Sequence, residues 1–298
     1  MSLLSLCFAF NYNLVMEIEQ IDLYSYYHIE RVEGSRGYLT CYYPEPKRLA
    51  FPTRVRPNAL VIPGGAYAFV SQREGEPVAL KFLEQDYNAY LLNYSVAPMG
   101  AYPIVLLEAL LASAYIHETT ANHYGNPKQV IGIGFSAGGH LLGLLNSATD
   151  EEINSLFLTR ENIQLHASIF AYPLVSGVFK TPDVSGCFAN LTNHNLSQAE
   201  SLYLENRDFH HFSPSYIWTT KEDSIVSYQN SMLLQTCLNK AGIKNKLHLF
   251  SKGDHGESVL NLSVFTSEKM KTLPSINQTW ISEAFSFLEE LGIHPLDK

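Results

Sequence analysis

One short segment, residues 132–140, has the sequence GIGFSAGGH. It contains the pattern G-x-S-x-G at 134–138, between an apolar run and a helix-like stretch. In that context the pattern places the serine on a strained strand-to-helix turn, with its hydroxyl exposed above a sheet. The helix N-terminus behind Ser136 adds free N–H groups and a positive dipole end for a developing oxyanion. We therefore predict that Ser136 is a catalytic nucleophile.

The same segment could instead begin a nucleotide-binding loop. A dinucleotide fingerprint is G-x-G-x-x-G, with an acidic residue at the end of the following strand. Here Gly132, Gly134 and Ala137 give only the looser Gly/Ala form. The following apolar run ends in Tyr172-Pro173, without Asp or Glu. The pattern therefore favours the nucleophile.

A serine nucleophile needs a general base, and several histidines follow it in the chain. His255 comes shortly after the last apolar run, 247–250. Loops at the carboxyl ends of strands are where ligands meet open α/β sheets. His248 lies inside that run and His210-His211 lie in a polar segment, so we expect structural or surface roles for them. We predict that His255 is the general base.

The acid that orients this histidine is expected between Ser136 and His255, because hydrolases with this serine turn follow the chain order Ser, Asp/Glu, His. Asp223 lies there, in the loop after the apolar run 216–218. It would hold the imidazole tautomer and stabilise the imidazolium. Glu222 is the neighbouring alternative. Asp254 is weaker, because adjacent residues rarely place their side chains in hydrogen-bonding register.

An oxyanion hole is expected in residues 62–67, IPGGAY, which follow the first strongly apolar run. In hydrolases with this serine turn, one oxyanion donor comes from that loop and another from the residue after the nucleophile. Glycines there allow positive φ and close approach of the backbone to a ligand. We predict the amides of Gly65, Ala66 and Ala137 as donors. Taken alone, an ordinary Gly-Gly turn is the alternative.

The elements that must position these residues alternate along the chain from about residue 57. Runs that are apolar throughout predict strands buried on both faces of a parallel sheet, and they lie at 59–62, 89–94, 130–134, 167–171, 216–218 and 247–250. Helix-length stretches lie at 75–87, 103–124, 137–149, 225–241 and 278–291. This alternation predicts an α/β fold with a doubly wound, mostly parallel sheet and helices on both faces.

Two segments depart from the alternation. β-like pieces at roughly 20–30 and 36–43 predict an N-terminal β-hairpin at the sheet edge. Residues 176–214 are rich in Asn, Ser, Thr and Pro and have only a weak helical stretch near 196–204. Because they are too long for an ordinary connection, we interpret them as a lid-like insertion. With no internal repeat or linker, we expect a single domain over 1–298.

Composition excludes several protein classes. The chain has 298 residues, of which 46% are hydrophobic, 12% aromatic and 16% charged, and its formal charge is −9. These values are opposite to the signature of disorder, and 20 Lys and Arg residues argue against a nucleic-acid partner. The cysteines are widely spaced, without a C-x-x-C pair, so we expect neither a zinc site nor a disulfide framework. A reduced, cytoplasmic location fits best.

Residues 1–16 begin with an apolar run but lack the basic side chains and cleavage site of a signal peptide. We interpret them as a ragged extension before a start at Met16. No stretch is expected to approach the ~20 apolar residues that span a bilayer, so we expect no membrane partner.

Together these residues resemble the α/β-hydrolase superfamily, and more narrowly the bacterial esterase/lipase group that includes acetyl-xylan-esterase-like sugar-ester hydrolases. The resemblance covers roughly 30–290 and rests on PGGAY at 63–67, NYSV at 93–96, GFSAGGH at 134–140, Tyr172-Pro173 and GDHG at 253–256. Lipases of the hormone-sensitive type have His-Gly-Gly-Gly where this chain has PGGA, which favours the small carbohydrate-ester branch. The resemblance implies no metal or organic cofactor.

Two further side chains are candidate substrate contacts. Tyr67 would suit a sugar-like or aromatic leaving group, and His140, one turn into the helix after Ser136, would line the pocket.

The leading functional hypothesis is a serine carboxylesterase that hydrolyses short acyl esters, with acetyl expected, of carbohydrates or small molecules through an acyl-enzyme. A small serine peptidase or amidase with the same triad is the second hypothesis, although no extra domain that would screen peptides is seen. The third is a non-catalytic binding protein of the same fold, which the loss of a triad member would signal. A homo-oligomer is left open.

Overall fold

The computed structural model describes residues 16–44 and 54–296, so the proposed extension lies outside the described residues except for Met16. Within those ranges eight strands form one sheet in the order β1-β2-β4-β3-β5-β6-β7-β8. The strands are β1 (Glu17–Asp22), β2 (Tyr38–Tyr43), β3 (Arg56–Ile62), β4 (Asn88–Asn93), β5 (Gly125–Phe135), β6 (Ala167–Ala171), β7 (Ser215–Thr220) and β8 (Asn245–Phe250). Strands β3 to β8 are parallel to one another. At one edge β2 pairs antiparallel with β4, and β1 pairs antiparallel with β2. The predicted mostly parallel sheet is confirmed.

Helices cover both faces of this sheet. They are α1 (Leu23–Tyr26), α2 (Glu76–Leu83), α3 (Ile104–Thr119), α4 (Ala137–Asn146), α5 (Asp150–Asn154), α6 (Arg160–Ile163), α7 (Pro182–Leu191), α8 (Gln229–Lys240), α9 (Glu268–Lys271) and α10 (Thr279–Glu289). Short 3₁₀ segments lie at Gln72–Glu74, Thr120–His123, Leu196–Leu202, Leu204–Asn206 and Ser275–Gln278. Apolar side chains of α3, α4, α7 and α8 share one buried cluster, and those of α2 and α10 share a second. The sheet therefore has a hydrophobic core on each face, as a doubly wound fold requires.

The central helix corrects one expectation. Among the described residues, Ile104–His123 is the helical stretch that is long and apolar enough, by length and composition, to cross a membrane. Its apolar stretch is 67% buried inside the molecule, where it packs in the first cluster. The expectation that no stretch approaches this length was therefore wrong. Buried core helices of globular proteins also meet this criterion of length and composition.

The N-terminal hairpin is confirmed, but its first strand ends earlier than predicted. β1 is Glu17–Asp22 rather than 20–30. Asp22 Oδ1 accepts hydrogen bonds from the N–H groups of Tyr24 (3.1 Å) and Ser25 (3.2 Å). A carboxylate in this position caps a helix, so the chain turns into α1 instead of continuing as a strand.

The segment 176–214 contains a helix that the sequence reasoning missed. In α7, Thr181 Oγ1 accepts from the Val184 N–H at 3.1 Å, and Pro182 occupies the first turn. One face of the helix is buried, at Val184, Cys187, Phe188 and Leu191. The expected weak stretch near 196–204 is present as 3₁₀ turns. The interpretation of 176–214 as a lid-like insertion and the assignment of 1–298 to one domain stay predictions.

Candidate active site

Ser136 lies at the junction of β5 and α4, with φ 52° and ψ −119°. A positive φ is strained for a residue with a side chain. The turn is held by a hydrogen bond from the Ser136 N–H to the Ala171 carbonyl at 3.0 Å. A Cβ at Gly138 would lie 2.2 Å from the Ile62 carbonyl oxygen, so only glycine fits there. The structure thus places Ser136 on the strained turn that its sequence pattern indicates.

The three predicted triad residues are connected by hydrogen bonds. His255 Nε2 lies 2.8 Å from Ser136 Oγ, and His255 Nδ1 lies 2.7 Å from Asp223 Oδ2. The other oxygen, Asp223 Oδ1, accepts from the N–H groups of Ile225 (3.0 Å) and Val226 (2.9 Å). The Asp223 side chain is 0% exposed and that of His255 13%. A buried, fully hydrogen-bonded carboxylate can hold the imidazole with Nε2 facing the serine.

The alternative acids have other partners. Glu222 Oε2 accepts from the Gly253 N–H at 3.4 Å, and Asp254 Oδ1 accepts from the backbone N–H of His255 at 2.9 Å. The two ring nitrogens of His255 are instead paired with Asp223 and Ser136. Among the other histidines considered, His248 Nδ1 pairs with Glu283 at 2.8 Å, and the side chains at 210 and 211 are exposed.

Two of the three predicted oxyanion donors, Gly65 and Ala66, line a cavity that also contains Ser136 and His255. Gly65 has φ +123°, and a Cβ there would lie 2.0 Å from the Phe69 carbonyl oxygen, which explains the glycine. Ala66 also has a positive φ, 55°. In the described part of the chain, neither of these two amides donates to a protein acceptor. Ala137 is the first residue of α4, so its N–H has no partner within the helix. Within the described residues, all three amides therefore lack a backbone acceptor, as oxyanion donors require.

A cavity of about 180 Å³ opens beside Ser136 and His255. It is smaller than the roughly 300–1,000 Å³ of most small-molecule sites. Its apolar wall comes from Ala66, Phe69, Cys187, Ile225 and Val226, and its charged lining from Arg73, Glu74 and Asp183. The helix α7 therefore supplies part of the wall. This space suits a short apolar group attached to the carbonyl that Ser136 would attack.

Tyr67 and His140 do not reach this cavity, which corrects their predicted role as substrate contacts. Both side chains are fully buried. The Tyr67 hydroxyl lies 2.8 Å from His140 Nδ1, and His140 Nε2 donates to the Leu202 carbonyl at 2.8 Å. Burial lowers the pKa of His140 to about 4, so the imidazole is neutral and accepts from Tyr67. The pair connects the oxyanion loop to the insertion.

Sequence reasoning missed two buried polar residues near the site: Glu74, which lines the cavity, and Tyr172, whose ring packs against His255. The Tyr172 hydroxyl donates to Glu74 Oε1 at 2.8 Å, and the two residues are 1% and 2% exposed. Tyr172 marks the end of an apolar run and belongs to one of the motifs of the family resemblance, but neither pattern assigns it a role in the site. A signal for Glu74 was present, because it lies between the oxyanion loop and α2, close to the predicted site.

No three His, Cys, Asp or Glu side chains come together within residues 16–44 and 54–296 where they could hold a metal ion. The chemistry present is a hydroxyl, an imidazole, a carboxylate and backbone amides. The sheet order, the strained serine turn and the Ser-His-Asp hydrogen bonds define an α/β hydrolase.

The family follows from comparison with known proteins. The sequence model of the BD-FAE family matches residues 42–238. The chain belongs to this family, within the esterase group of α/β hydrolases. The matched region includes Ser136 and Asp223 and ends before His255.

Individual relatives agree with this assignment. The chain is 29% identical over 214 residues, 70% of its length, to endo-1,4-beta-xylanase B of Butyrivibrio fibrisolvens. It is 24% identical over 201 residues, 65% of its length, to acetylxylan esterase of Xylanibacter ruminicola. The aligned parts cover 33% and 40% of those two proteins. A crystal structure of an acetyl ester-xyloside bifunctional hydrolase from Caldicellulosiruptor lactoaceticus has a TM-score of 0.71 and 25% identity, covering 86% of this chain and 89% of that one.

Proposed function

We propose that this protein is a serine carboxylesterase that removes short acyl groups, with acetyl as the expected group, from a carbohydrate or a related small molecule. The observation that supports this proposal most strongly is a chain of two hydrogen bonds. His255 Nε2 lies 2.8 Å from Ser136 Oγ, and His255 Nδ1 lies 2.7 Å from Asp223 Oδ2. Three unpaired amides and a small cavity lie beside it. The names of the acetylxylan esterase and the acetyl ester-xyloside hydrolase support the acyl group and the carbohydrate.

In the first half-reaction, Ser136 Oγ attacks the ester carbonyl carbon while His255 Nε2 takes the hydroxyl proton. The carbonyl electron pair moves to oxygen, where the amides of Gly65, Ala66 and Ala137 stabilise the charge. The C–O bond to the alcohol then breaks, and His255 gives its proton to the leaving oxygen. Asp223 stays ionised and stabilises the imidazolium.

In the second half-reaction, water replaces the alcohol. His255 takes a proton from the water as its oxygen attacks the acyl carbon of the acyl-enzyme. Collapse of the second tetrahedral intermediate breaks the bond to Ser136 Oγ, which recovers its proton from His255. The products are a carboxylic acid and free enzyme.

Esterase activity is tested with p-nitrophenyl acetate, butyrate and decanoate. We expect hydrolysis of the two short esters, little of decanoate because the cavity is small, and about a 10⁶-fold loss of kcat in Ser136→Ala. Acetate release from acetylated xylo-oligosaccharides tests whether the alcohol portion of the substrate is a carbohydrate. Equal rates for the wild type and the variant would refute the mechanism, and aminoacyl-nitroanilide cleavage faster than ester cleavage would favour a peptidase.

The alcohol portion has its own candidate space. A groove of about 770 Å³ shares Phe69 and Ser71 with the small cavity and is lined by polar groups such as Arg36 and Asn93. We propose that the acyl group occupies the small cavity and the alcohol occupies this groove, with the Phe69 ring between them. Phe69 is 58% exposed, as a stacking surface for a sugar requires.

A substitution that fills the groove tests this arrangement. Leu80 lies on α2 in the groove wall, outside the small cavity. We expect Leu80→Trp to raise KM for acetylated xylo-oligosaccharides about tenfold, worth roughly 1.4 kcal/mol, and to leave KM for p-nitrophenyl acetate within twofold. Met232→Trp, at a similarly exposed helical position on α8, is the control. Equal effects on both substrates would place the alcohol elsewhere.

A further inference from the structure

Glu74 connects to the oxyanion loop and to the end of β6 at the same time. Its Oε2 accepts from the Gly64 N–H at 2.9 Å, and its Oε1 accepts from the Tyr172 hydroxyl at 2.8 Å. Gly64 precedes the predicted donor Gly65. The carboxylate is 2% exposed and borders the active-site cavity. Each of its oxygens therefore has one partner, and the two partners lie on different segments of the site.

Tyr172 extends this connection to the histidine. The edge of its ring packs against His255, with ring centroids 4.9 Å apart. Its hydroxyl oxygen accepts from the Ser258 N–H at 3.1 Å, three residues after His255. Ser258 in turn donates from Oγ to the Arg73 carbonyl at 2.6 Å, and its own carbonyl accepts from the Trp280 indole at 2.9 Å.

In these hydrogen bonds Glu74 accepts at both of its carboxylate oxygens and the Tyr172 phenol donates. Burial and the neighbouring carboxylate raise the pKa of Tyr172 well above its usual value, so the hydroxyl keeps its proton and donates it to Glu74. A carboxylate can accept hydrogen bonds at both of its oxygens. A glutamine could accept from Gly64 or from Tyr172 with its single oxygen, but not from both in this geometry.

We propose that Glu74 and Tyr172 are positioning residues that hold the oxyanion loop and the histidine loop at a fixed separation. Glu74 orients the Gly64–Gly65 peptide, and Tyr172 supports the imidazole of His255. The two loops lie far apart in the sequence, and this pair connects them through hydrogen bonds to Gly64 and Ser258. The proposal rests on the esterase function proposed above.

The test is a double-mutant cycle with Glu74→Gln, Tyr172→Phe and the double variant. We expect each single change to lower kcat on p-nitrophenyl acetate by about 10- to 100-fold, somewhat less than the roughly 10²–10³ lost with an oxyanion donor itself, and to keep KM within threefold. Because the residues act as one unit, the double variant should be no more than about threefold below the worse single variant. Phenylboronic acid forms a tetrahedral adduct with the serine. Its inhibition constant should rise by the same factor as kcat falls.

A second buried phenol–carboxylate pair gives a matched control. The Tyr24 hydroxyl donates to Glu108 Oε1 at 2.9 Å, and both side chains are buried on α1 and α3, outside the active-site cavity. Glu108→Gln and Tyr24→Phe should lower the melting temperature about as much as the Glu74 and Tyr172 variants. Their kcat at a temperature where they are folded should stay within twofold of the wild type.

The possible results separate this proposal from the proposed function. If the wild type hydrolyses no ester and Ser136 does not react with a fluorophosphonate, the esterase proposal fails. If the wild type is active but the Glu74 and Tyr172 variants keep kcat within twofold, or lose no more than the control pair, positioning by this pair is refuted. If Glu74→Gln does not fold, Tyr172→Phe decides alone, because it keeps the ring and removes only the hydroxyl.

Discussion

Asp223 shows how the backbone selects one carboxylate among several near the histidine. Two successive amides in its own loop, at Ile225 and Val226, fix Oδ1, which leaves Oδ2 aimed at His255 Nδ1. With its proton on Nδ1, the imidazole presents an unprotonated Nε2 to Ser136. The choice of acid therefore depends on loop geometry rather than on proximity in sequence.

We expect Asp223→Asn to lower kcat on p-nitrophenyl acetate by about 10⁴. The amide can present its NH₂ group to Nδ1, which favours the tautomer with the proton on Nε2, facing the serine. Glu222→Gln is the control, and it should keep kcat within tenfold because Glu222 bonds to the Gly253 amide, whereas His255 Nδ1 bonds to Asp223. A variant Asp223→Asn that keeps more than a tenth of wild-type kcat would show that another group orients the histidine.

At this scale the sequence predicted the residues with a fixed chain order and local pattern. Ser136, Asp223 and His255 each follow a strand of the sheet, and the structure brings them within hydrogen-bonding distance. The sequence could not predict the direction of the His140 side chain. The hydrogen-bond partner of His140 is Leu202 in the insertion, and no local sequence pattern determines the path of the insertion. The role of Glu74 was not predicted for the same reason, because it depends on Tyr172, which lies almost a hundred residues away in the sequence.

Among the elements, the insertion is where prediction was weakest. Helix α7 includes Asp183, Ser185 and Gly186, and these polar residues and glycine obscured its pattern. Yet Thr181 and Pro182 are typical of a helix start, and its buried residues recur at the i, i+3, i+4 and i+7 spacing of an amphipathic helix. The insertion is tied to α8 through Asn230, whose Oδ1 accepts from the amides of Val175 and Ser176 at 3.0 Å.

The link between the insertion and α4 should be sensitive to acid. His140 is neutral when folded, and burial lowers its pKa from 6.5 to about 4. Between those values the unfolded chain binds the extra proton, so the free energy of unfolding decreases as the pH falls. The contribution is on the order of 3 kcal/mol between pH 7 and pH 4.

Urea unfolding of the wild type and His140→Gln at pH 7 and pH 4.5 measures this contribution. The variant should be less stable at pH 7 because it loses packing and a hydrogen bond. Since it lacks the titrating ring, the stability difference between the two proteins should shrink by about 2–3 kcal/mol at pH 4.5. A difference that does not change with pH would mean that His140 is not held neutral by burial.

For the whole molecule, the strand pattern was the most informative part of the sequence. All six predicted apolar runs lie within or overlap β3 to β8, but β8 is an edge strand in which only Phe250 is buried, rather than a strand buried on both faces. The end of β1 was missed because a single capping carboxylate, Asp22, decides it. The first core cluster joins Leu191 and Leu204 of the insertion to Leu60 and Leu141 of the sheet and α4.

This shared core predicts that the insertion unfolds together with the sheet. Cys187 lies on α7 and Cys41 on β2, both are buried free thiols, and burial raises the pKa of each to about 12. Thiols protonated in this way react slowly with alkylating reagents. Alkylation by N-ethylmaleimide, located by peptide mass spectrometry, should begin at the same urea concentration for both. Earlier labelling of Cys187 would show that the insertion opens independently.

The chain has two tryptophans, and they lie together behind the active site. The indoles of Trp218 and Trp280 stack with centroids 5.2 Å apart, Trp218 meets the Tyr172 ring, and Trp280 donates to the Ser258 carbonyl. The intrinsic fluorescence of the protein therefore originates next to the loop that carries His255. Formation and decay of an acyl-enzyme should change this emission, so that stopped-flow measurements could separate acylation from deacylation in the unlabelled protein.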